Sequence, residues 1–437
     1  MSRRTCGVTW GLKSWIMRWL YTAVIRPSII YGAIVWWQKT QQVTAAAKLD
    51  KVQRMACLLI SGAFRSTSTL ALETVLNLPP LSISIRMEAE STAHRLLHTG
   101  EWVDRNKGHC LVVRTSSIGS MLTTRSDYMV SRYNFEHKFT VSIRDRHEWS
   151  TSAAIFPQQG LLWFTDGSKT EAGVGAGIYG VRPRKRLSIS LGMYATVFQA
   201  ELYALLLCLQ ENLLMRYRAQ NVYIYSDSQA ALKAVDSCHF TSVLAWECRS
   251  SLNELARNNN VFLHWVPGHQ GYSGNEGVDT LAREGTNLPY IGPEPVCGIS
   301  RSAVRSSALG VALKNHRTRW IRSTANQHAK SLILGPSAGL ALRLTRLSKG
   351  QVRQVLCLTK GHGVLRSHMR KIGAYRGNAN CRLCGSENET AHHVVYQCKS
   401  LESNRRELRK ALAGEERGDI VGAILRLVKD TGIGLTV

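Results

Sequence analysis

Four acidic side chains set the chemistry to be considered first: Asp166 in FTDGSK, Glu201 in QAELYAL, Asp227 in YSDSQAAL and Asp279 in GNEGVDTLA. Carboxylates are hard oxygen donors and suit a hard ion such as Mg2+, which keeps several waters and needs only a few protein ligands. Hydrolysing a phosphodiester at neutral pH requires a deprotonated water and a neutralised leaving oxygen, and two Mg2+ ions about 4 Å apart supply both. The four carboxylates therefore point to metal-assisted phosphodiester hydrolysis, provided the fold brings them together. Singly, each has a plainer reading: an Asp in TDGS is a common turn former, and Asp227 could cap a helix.

The elements around these residues predict an α/β unit. Leu161 to Thr165 reads as a short buried strand with Asp166 just after it. Gly173 to Tyr179 and Lys185 to Leu191 complete a three-strand meander through the basic turn Val181 to Arg186. Thr196 and Gln199 have capping-box spacing and start a helix that carries Glu201 in its first turns. Asn221 to Tyr225 is a strand ending in Ser-Asp-Ser, QAALKAV and Ser242 to Ala256 are helical, and Asn260 to Val266 is a last strand before the loop PGHQGYSGNEG and a helix with Asp279. Ends of adjacent central strands and a facing helix meet at one sheet edge, so residues far apart in sequence can share a site.

In this order and spacing, FTDGSK, QAELYAL, YSDSQAAL, HWVPGHQG and GNEGVDTLA resemble the ribonuclease H domains of retroelements and cells. The resemblance implies a ribonuclease H-like fold, a mixed five-stranded sheet flanked by helices, over residues 160–286. It implies Asp166, Glu201, Asp227 and Asp279 as ligands of two Mg2+ ions, with Mn2+ as a substitute, and His269 as a mobile-loop residue assisting proton transfer or product departure. Glu276 is the competing carboxylate on the last helix. Ser168, Ser228, Gln229 and Asn275 are candidate contacts to the RNA 2'-hydroxyl or to phosphates, since that hydroxyl separates RNA from DNA. The expected reaction is endonucleolytic cutting of the RNA strand of an RNA/DNA hybrid.

The flanks differ in charge from this segment. Leu161 to Thr286 holds 11 Lys+Arg against 11 Asp+Glu, whereas Arg301 to Asn380 holds 16 Lys+Arg and no acid, and the first 160 residues hold 20 basic against 10 acidic. The net charge of +26 therefore resides outside the α/β unit. Uncompensated charges repel one another, and a nucleic-acid backbone bound with counterion release relieves that repulsion. No base-reading motif is evident, so contact through the flanks is expected to be weakly sequence-dependent.

Residues 1–100 read as helical, and WLYTAVIRPSIIYGAIVWW, KVQRMACLLISGAF and ALETVLNLPPLSI resemble the end of the reverse transcriptase of a non-LTR, insect-type retrotransposon. The resemblance implies a thumb-like unit separated from its polymerase palm, with the missing polymerase portion as a partner and apolar faces left uncovered. Residues 101–159 read as a connector with a strand or two, and residues 287–437 as a basic helical tail. Within the tail, CRLCGSENETAHHVVYQC places Cys381, Cys384, His393 and Cys398 as C-x2-C-x8-H-x4-C, the donor set of a structural zinc site. His392 competes with His393 by spacing, and similarity to the Cys/His motif near the end of such polyproteins favours His393.

Eleven scattered cysteines do not form the framework of a small secreted domain and point to a reducing compartment. The most apolar N-terminal stretch is broken by Arg18, Arg26 and Pro27. It is therefore expected to be neither a signal peptide nor a membrane span, and an intracellular location, nucleus or cytoplasm, is expected. A different class of function also fits the charge: a catalytically inactive, retroelement-derived nucleic-acid-binding protein.

Overall fold

The computed structural model describes residues 11–100, 110–151, 156–292, 294–413 and 419–434. Residues 101–109 and 152–155 of the expected connector lie outside them. The chain divides into two units, one of Glu90–Ala308, the other of the residues up to Ala89 together with those from Leu309 onward.

Among the described residues of the first unit, eight strands form: β1 (Tyr128–Tyr133), β2 (Thr140–Ser142), β3 (Leu161–Lys169), β4 (Val174–Arg182), β5 (Lys185–Ser190), β6 (Asn221–Ser226), β7 (His239–Ser242) and β8 (Asn260–Trp265). Six make one mixed sheet in the order β2-β8-β6-β3-β4-β5. The meander β3-β4-β5 is antiparallel, while β3-β6, β6-β8 and β2-β8 run parallel. The sheet thus has one strand more than the five expected, because Thr140–Ser142 of the connector adds to the free edge of β8. Covering an open edge satisfies backbone groups that would otherwise be bare. Its three residues are too few to leave a period-2 signature in the sequence.

Four helices accompany the sheet within residues 160–287: α1 (Val197–Leu214), α2 (Gln229–Asp236), α3 (Val243–Leu255) and α4 (Ser273–Asn287). Thr196 and Gln199 close the capping box predicted from their spacing, the Thr196 hydroxyl accepting the Gln199 amide and the Gln199 side chain accepting the Thr196 amide. Ser228 and Ser242 cap α2 and α3 in the same way, each hydroxyl accepting an amide three residues on. The core lies between the sheet and α1 and α3, with Trp163, Ile178, Leu205, Leu209, Ile224, Leu252 and Leu263 essentially inaccessible. Trp163 enters it without losing a hydrogen bond, since its indole N–H donates to Asn212 Oδ1 at 3.1 Å.

Two close approaches bring the helices onto the strands. A Cβ at Gly167 of β3 would collide with the backbone of Ala200 and Glu201 in α1, and Cβ atoms at Gly175 and Gly177 of β4 would collide with the backbone of α4. Absent side chains at these points let α1 and α4 lie directly on the sheet. Gly167→Ala is therefore expected to destabilise the unit by about 3 kcal/mol, because rigid backbone opposes it, as a denaturant titration would measure.

In the other unit, the helices Val43–Ser61, Thr69–Val75, Lys349–Lys360 and Ile420–Thr431 share one core. Cys57, Ile60, Leu72 and Val75 lie in the same buried cluster as Leu344, Leu356, Ile424 and Leu427. Segments that read separately as a thumb-like unit and a basic tail thus contribute apolar stripes to common packing. A short amphipathic helix cannot bury its stripe alone. Trp15, Trp19, Tyr31 and Val35 stay exposed. No helix of the described residues is long and apolar enough to cross a membrane.

Candidate active site and metal centres

Register explains how the first two carboxylates meet. β3 and β6 are parallel neighbours with Thr165 opposite Ser226, so the next residue of each, Asp166 and Asp227, emerges side by side at the carboxyl ends of the central strands. Asp166 belongs to β3, which continues to Lys169 and does not stop at Thr165. Glu201 arrives from the first turns of α1, which Gly167 admits. Ligand oxygens of Asp166, Glu201 and Asp227 all lie within 4.8 Å of one another.

Three carboxylates so close, and largely buried, cannot all ionise easily. Burial, then the charges of Asp227 and Asp279, pushes Asp166 up to about 7. Burial, then Asp166 and Asp227, drives Glu201 well above the usual carboxylate range. Asp227 is raised by burial and by Asp279, against the opposing influence of His269. Glu201 Oε2 is buried without a hydrogen-bond partner. An orphaned oxygen among mutually repelling carboxylates is the environment that a hard divalent cation satisfies, so these residues fit Mg2+.

Asp279, on α4, lies in an adjoining group with His269 and Glu276, whose ligand atoms are again within 4.8 Å of one another. Its carboxylate also takes Arg283 at 2.9 Å. It therefore flanks the tight triad and does not join it at ligand distance, although its charge is felt by Asp166 and Asp227. His269 is exposed and held at φ +55°, in the left-handed region that non-glycine residues seldom occupy.

A family model, RNase H, matches residues 158–287. This segment is a ribonuclease H domain. The chain is also 30% identical over 86 residues to the 115 kDa protein of the type-1 retrotransposable element R1DM of Drosophila melanogaster, covering 20% of this chain and 8% of that protein. It is 30% identical over 87 residues to a ribonuclease H of Ralstonia nicotianae, covering 16% of this chain and 55% of the enzyme.

In the ribonuclease H domain the candidate substrate contacts stand as follows. Ser168 is on β3 two residues beyond Asp166, on the same face by strand alternation. Ser228 spends its hydroxyl on the cap of α2, and Gln229 Oε1 accepts from Lys233 Nζ at 3.5 Å. Asn275 is buried, one helical turn before Asp279, and its side chain favours the charged form of Asp227, which places it as a candidate positioning residue for that carboxylate.

Two further residues that the motif reading passed over also orient Asp227. The Trp265 indole N–H donates to the Asp227 carbonyl at 2.9 Å, pinning the end of β6 to the end of β8. A Cβ at Gly268 would stand 2.7 Å from Asp227 Oδ2. The sole signal of these roles in sequence is their place in HWVPGHQG. Because only a carboxylate tip opposes it, Gly268→Ala is expected to leave the melting temperature nearly unchanged while rotating Asp227. Mg2+ affinity should fall about tenfold, as isothermal calorimetry would measure.

The Cys/His segment is also assembled. Cys381, Cys384, His393 and Cys398 bring their ligand atoms within 4.8 Å, with Cys381 and Cys398 sulfurs 3.9 Å apart and Cys384 Sγ 3.3 Å from His393 Nε2. His393 Nδ1 is 2.9 Å from a Glu387 carboxylate oxygen, the outer contact that fixes a metal-binding imidazole with its other nitrogen toward the ion. His392 instead sits beside His328 and Tyr396. Hydrogen bonds from the Ser386 hydroxyl and the backbone of Glu387 and Ser386 hold the Cys384 thiol down to about 5, while burial pushes Cys398 up to about 12. Three sulfurs and one oriented imidazole are a donor set suited to zinc.

Proposed function

We propose that this chain cuts the RNA strand of RNA/DNA hybrids endonucleolytically, as part of the replication of a non-LTR retrotransposon. The observation that carries the reading is the convergence of Asp166, Glu201 and Asp227 at the carboxyl ends of β3 and β6, with one Glu201 oxygen unpartnered. Asp166, Glu201, Asp227 and Asp279 would hold two Mg2+ ions, which when bound supply an activated water and charge neutralisation at the leaving 3'-oxygen. Asn275, Trp265 and Gly268 keep Asp227 aimed at the site. His269, exposed beside Asp227 and Asp279, is placed to pass protons or help the product leave. Ser168, two residues beyond Asp166 on the same face of β3, is the candidate 2'-hydroxyl contact.

The cluster Cys381, Cys384, His393 and Cys398 would hold a structural zinc, since four protein donors leave no open position for a reacting water. The basic flanks would grip the nucleic-acid backbone, and the polymerase portion of the same element is the proposed partner. The matched segment covers only 8% of the retrotransposon protein, so this role of the whole element's product belongs to the proposal.

The deciding experiment is incubation of the purified chain and Mg2+ with a labelled RNA/DNA hybrid, with single-stranded and double-stranded RNA as controls. Cutting confined to the RNA of the hybrid is expected. Tight binding without cutting would replace the enzyme reading with that of an inactive nucleic-acid-binding protein.

A further inference from the structure

A cavity of about 400 Å³ lies beside the Cys/His cluster, lined in part by Lys360, His362, Lys371, His328 and His368. Lys360 closes the helix Lys349–Lys360 and is only 9% exposed, yet its Nζ has no hydrogen-bond acceptor. It lies 5.0 Å from the centroid of the Trp320 ring. A ring face attracts an ammonium without occupying its N–H bonds. Burial pushes Lys360 down to about 7, as expected for a buried ammonium without a counter-charge.

The rest of the lining shows which sign of ligand is wanted. His362 Nδ1 is also buried and unpartnered, and Lys371 stands exposed near it. His368 is engaged with Gly363 and Ser66, and His328 Nε2 with the Leu358 carbonyl, while His328 Nδ1, like His362 Nδ1, is buried and unpartnered. The one carboxylate of the lining, Glu389, is fully committed: it takes the Arg382 guanidinium at 2.6 and 2.8 Å and the backbone amides of Arg366 and Arg382 at 3.0 and 3.1 Å. A buried ammonium without an acceptor calls for an anion, to which the Nδ1–H tautomer of His362 would also donate. A metal ion does not fit, because the buried ammonium would repel it and, among the described residues, these imidazoles form no group able to reach one ion.

We infer that this cavity binds a phosphate group of a nucleic-acid strand, with Lys360 as its buried counter-charge and His362 and Lys371 as further donors. The volume exceeds what phosphate alone needs and leaves room for an attached sugar. The acid-free stretch from Arg301 to Asn380, which contains all three donors, would attract the rest of the strand.

The test measures binding of labelled single-stranded 12-mers, with and without a 5'-phosphate, to the full zinc-loaded chain at constant ionic strength, with inorganic phosphate or chloride as competitor. Inorganic phosphate should compete far better than chloride. Lys360→Met, which keeps the buried stem and drops the charge, should weaken binding about tenfold and should melt no lower than wild type. A preference for the 5'-phosphorylated strand that Lys360→Met abolishes would identify a terminal monoester as the ligand; equal affinities, both weakened by the variant, would identify an internal phosphodiester. His362→Gln, on the more accessible side, should weaken binding too and serves if Lys360→Met fails to fold. Wild-type affinity in both variants, with phosphate competing no better than chloride, would overturn the inference. Hybrid cleavage in the same preparations reads the carboxylate site separately, so failure of one reading is distinguishable from failure of the other.

Discussion

Replacing Asp227 by Asn is expected to lower hybrid cleavage by on the order of 10²- to 10³-fold while making the magnesium-free protein more stable. Both effects follow from one carboxylate. Asn keeps the shape and the contacts of the Asp227 backbone with Trp265 but withdraws a negative charge from the metal site. It also removes the repulsion that Asp227 exerts on Asp166 and Glu201.

The sign of the pH dependence follows directly. Asp166 titrates near 7 in the folded chain and at about 4 when unfolded, so the folded state holds its proton more tightly. Its contribution to stability is present below about pH 4 and is lost as pH rises through about 7. In magnesium-free buffer the wild-type melting temperature should therefore fall between about pH 4 and pH 7, and Asp227→Asn should flatten that fall. The gap at pH 8 should be about 2–4 °C for each kcal/mol of repulsion relieved. Added Mg2+ should reverse the ranking, stabilising the wild type more than the variant. Equal melting curves across pH, with cleavage retained in Asp227→Asn, would remove Asp227 from the site.

Stripping the Cys/His cluster is the second large effect. Cys381 and Cys398 are part of the same buried cluster as Leu356, Val394, Leu401 and Ile424, so a metal holding the two sulfurs would staple the surface loop to the core. Because binding free energy of a structural zinc is folding free energy, removal should cost on the order of 5 kcal/mol, less than in a free zinc-finger peptide since the helical core supports the ligands. One zinc per chain is expected by elemental analysis, and 1,10-phenanthroline or Cys398→Ser should lower the melting transition sharply. His392→Ala should leave zinc content unchanged and His393→Ala should not. A chain that purifies free of zinc and melts unchanged by the chelator would reduce the cluster to packed thiols.

What the sequence determined alone was whatever rests on short spacing. Thr196 and Gln199 announce a helix start because a capping box is completed within four residues. The alternation of strand and helix patterns predicts the α/β unit because each element's period is written locally. C-x2-C-x8-H-x4-C brings four donors within one loop's reach. The tertiary structure decided what depends on register and on distant partners. Asp166 and Asp227 become neighbours through the parallel pairing of β3 with β6, and Gly167 and Gly268 matter only because another segment passes within contact. Three residues of the connector became an edge strand because β8 had an edge to cover. Asp279 stands with His269 and Glu276, outside the tight triad, because the placement of α4 sets how far its side chains reach. The first and last segments share a core because amphipathic stripes choose partners by shape and burial, which no window of sequence records.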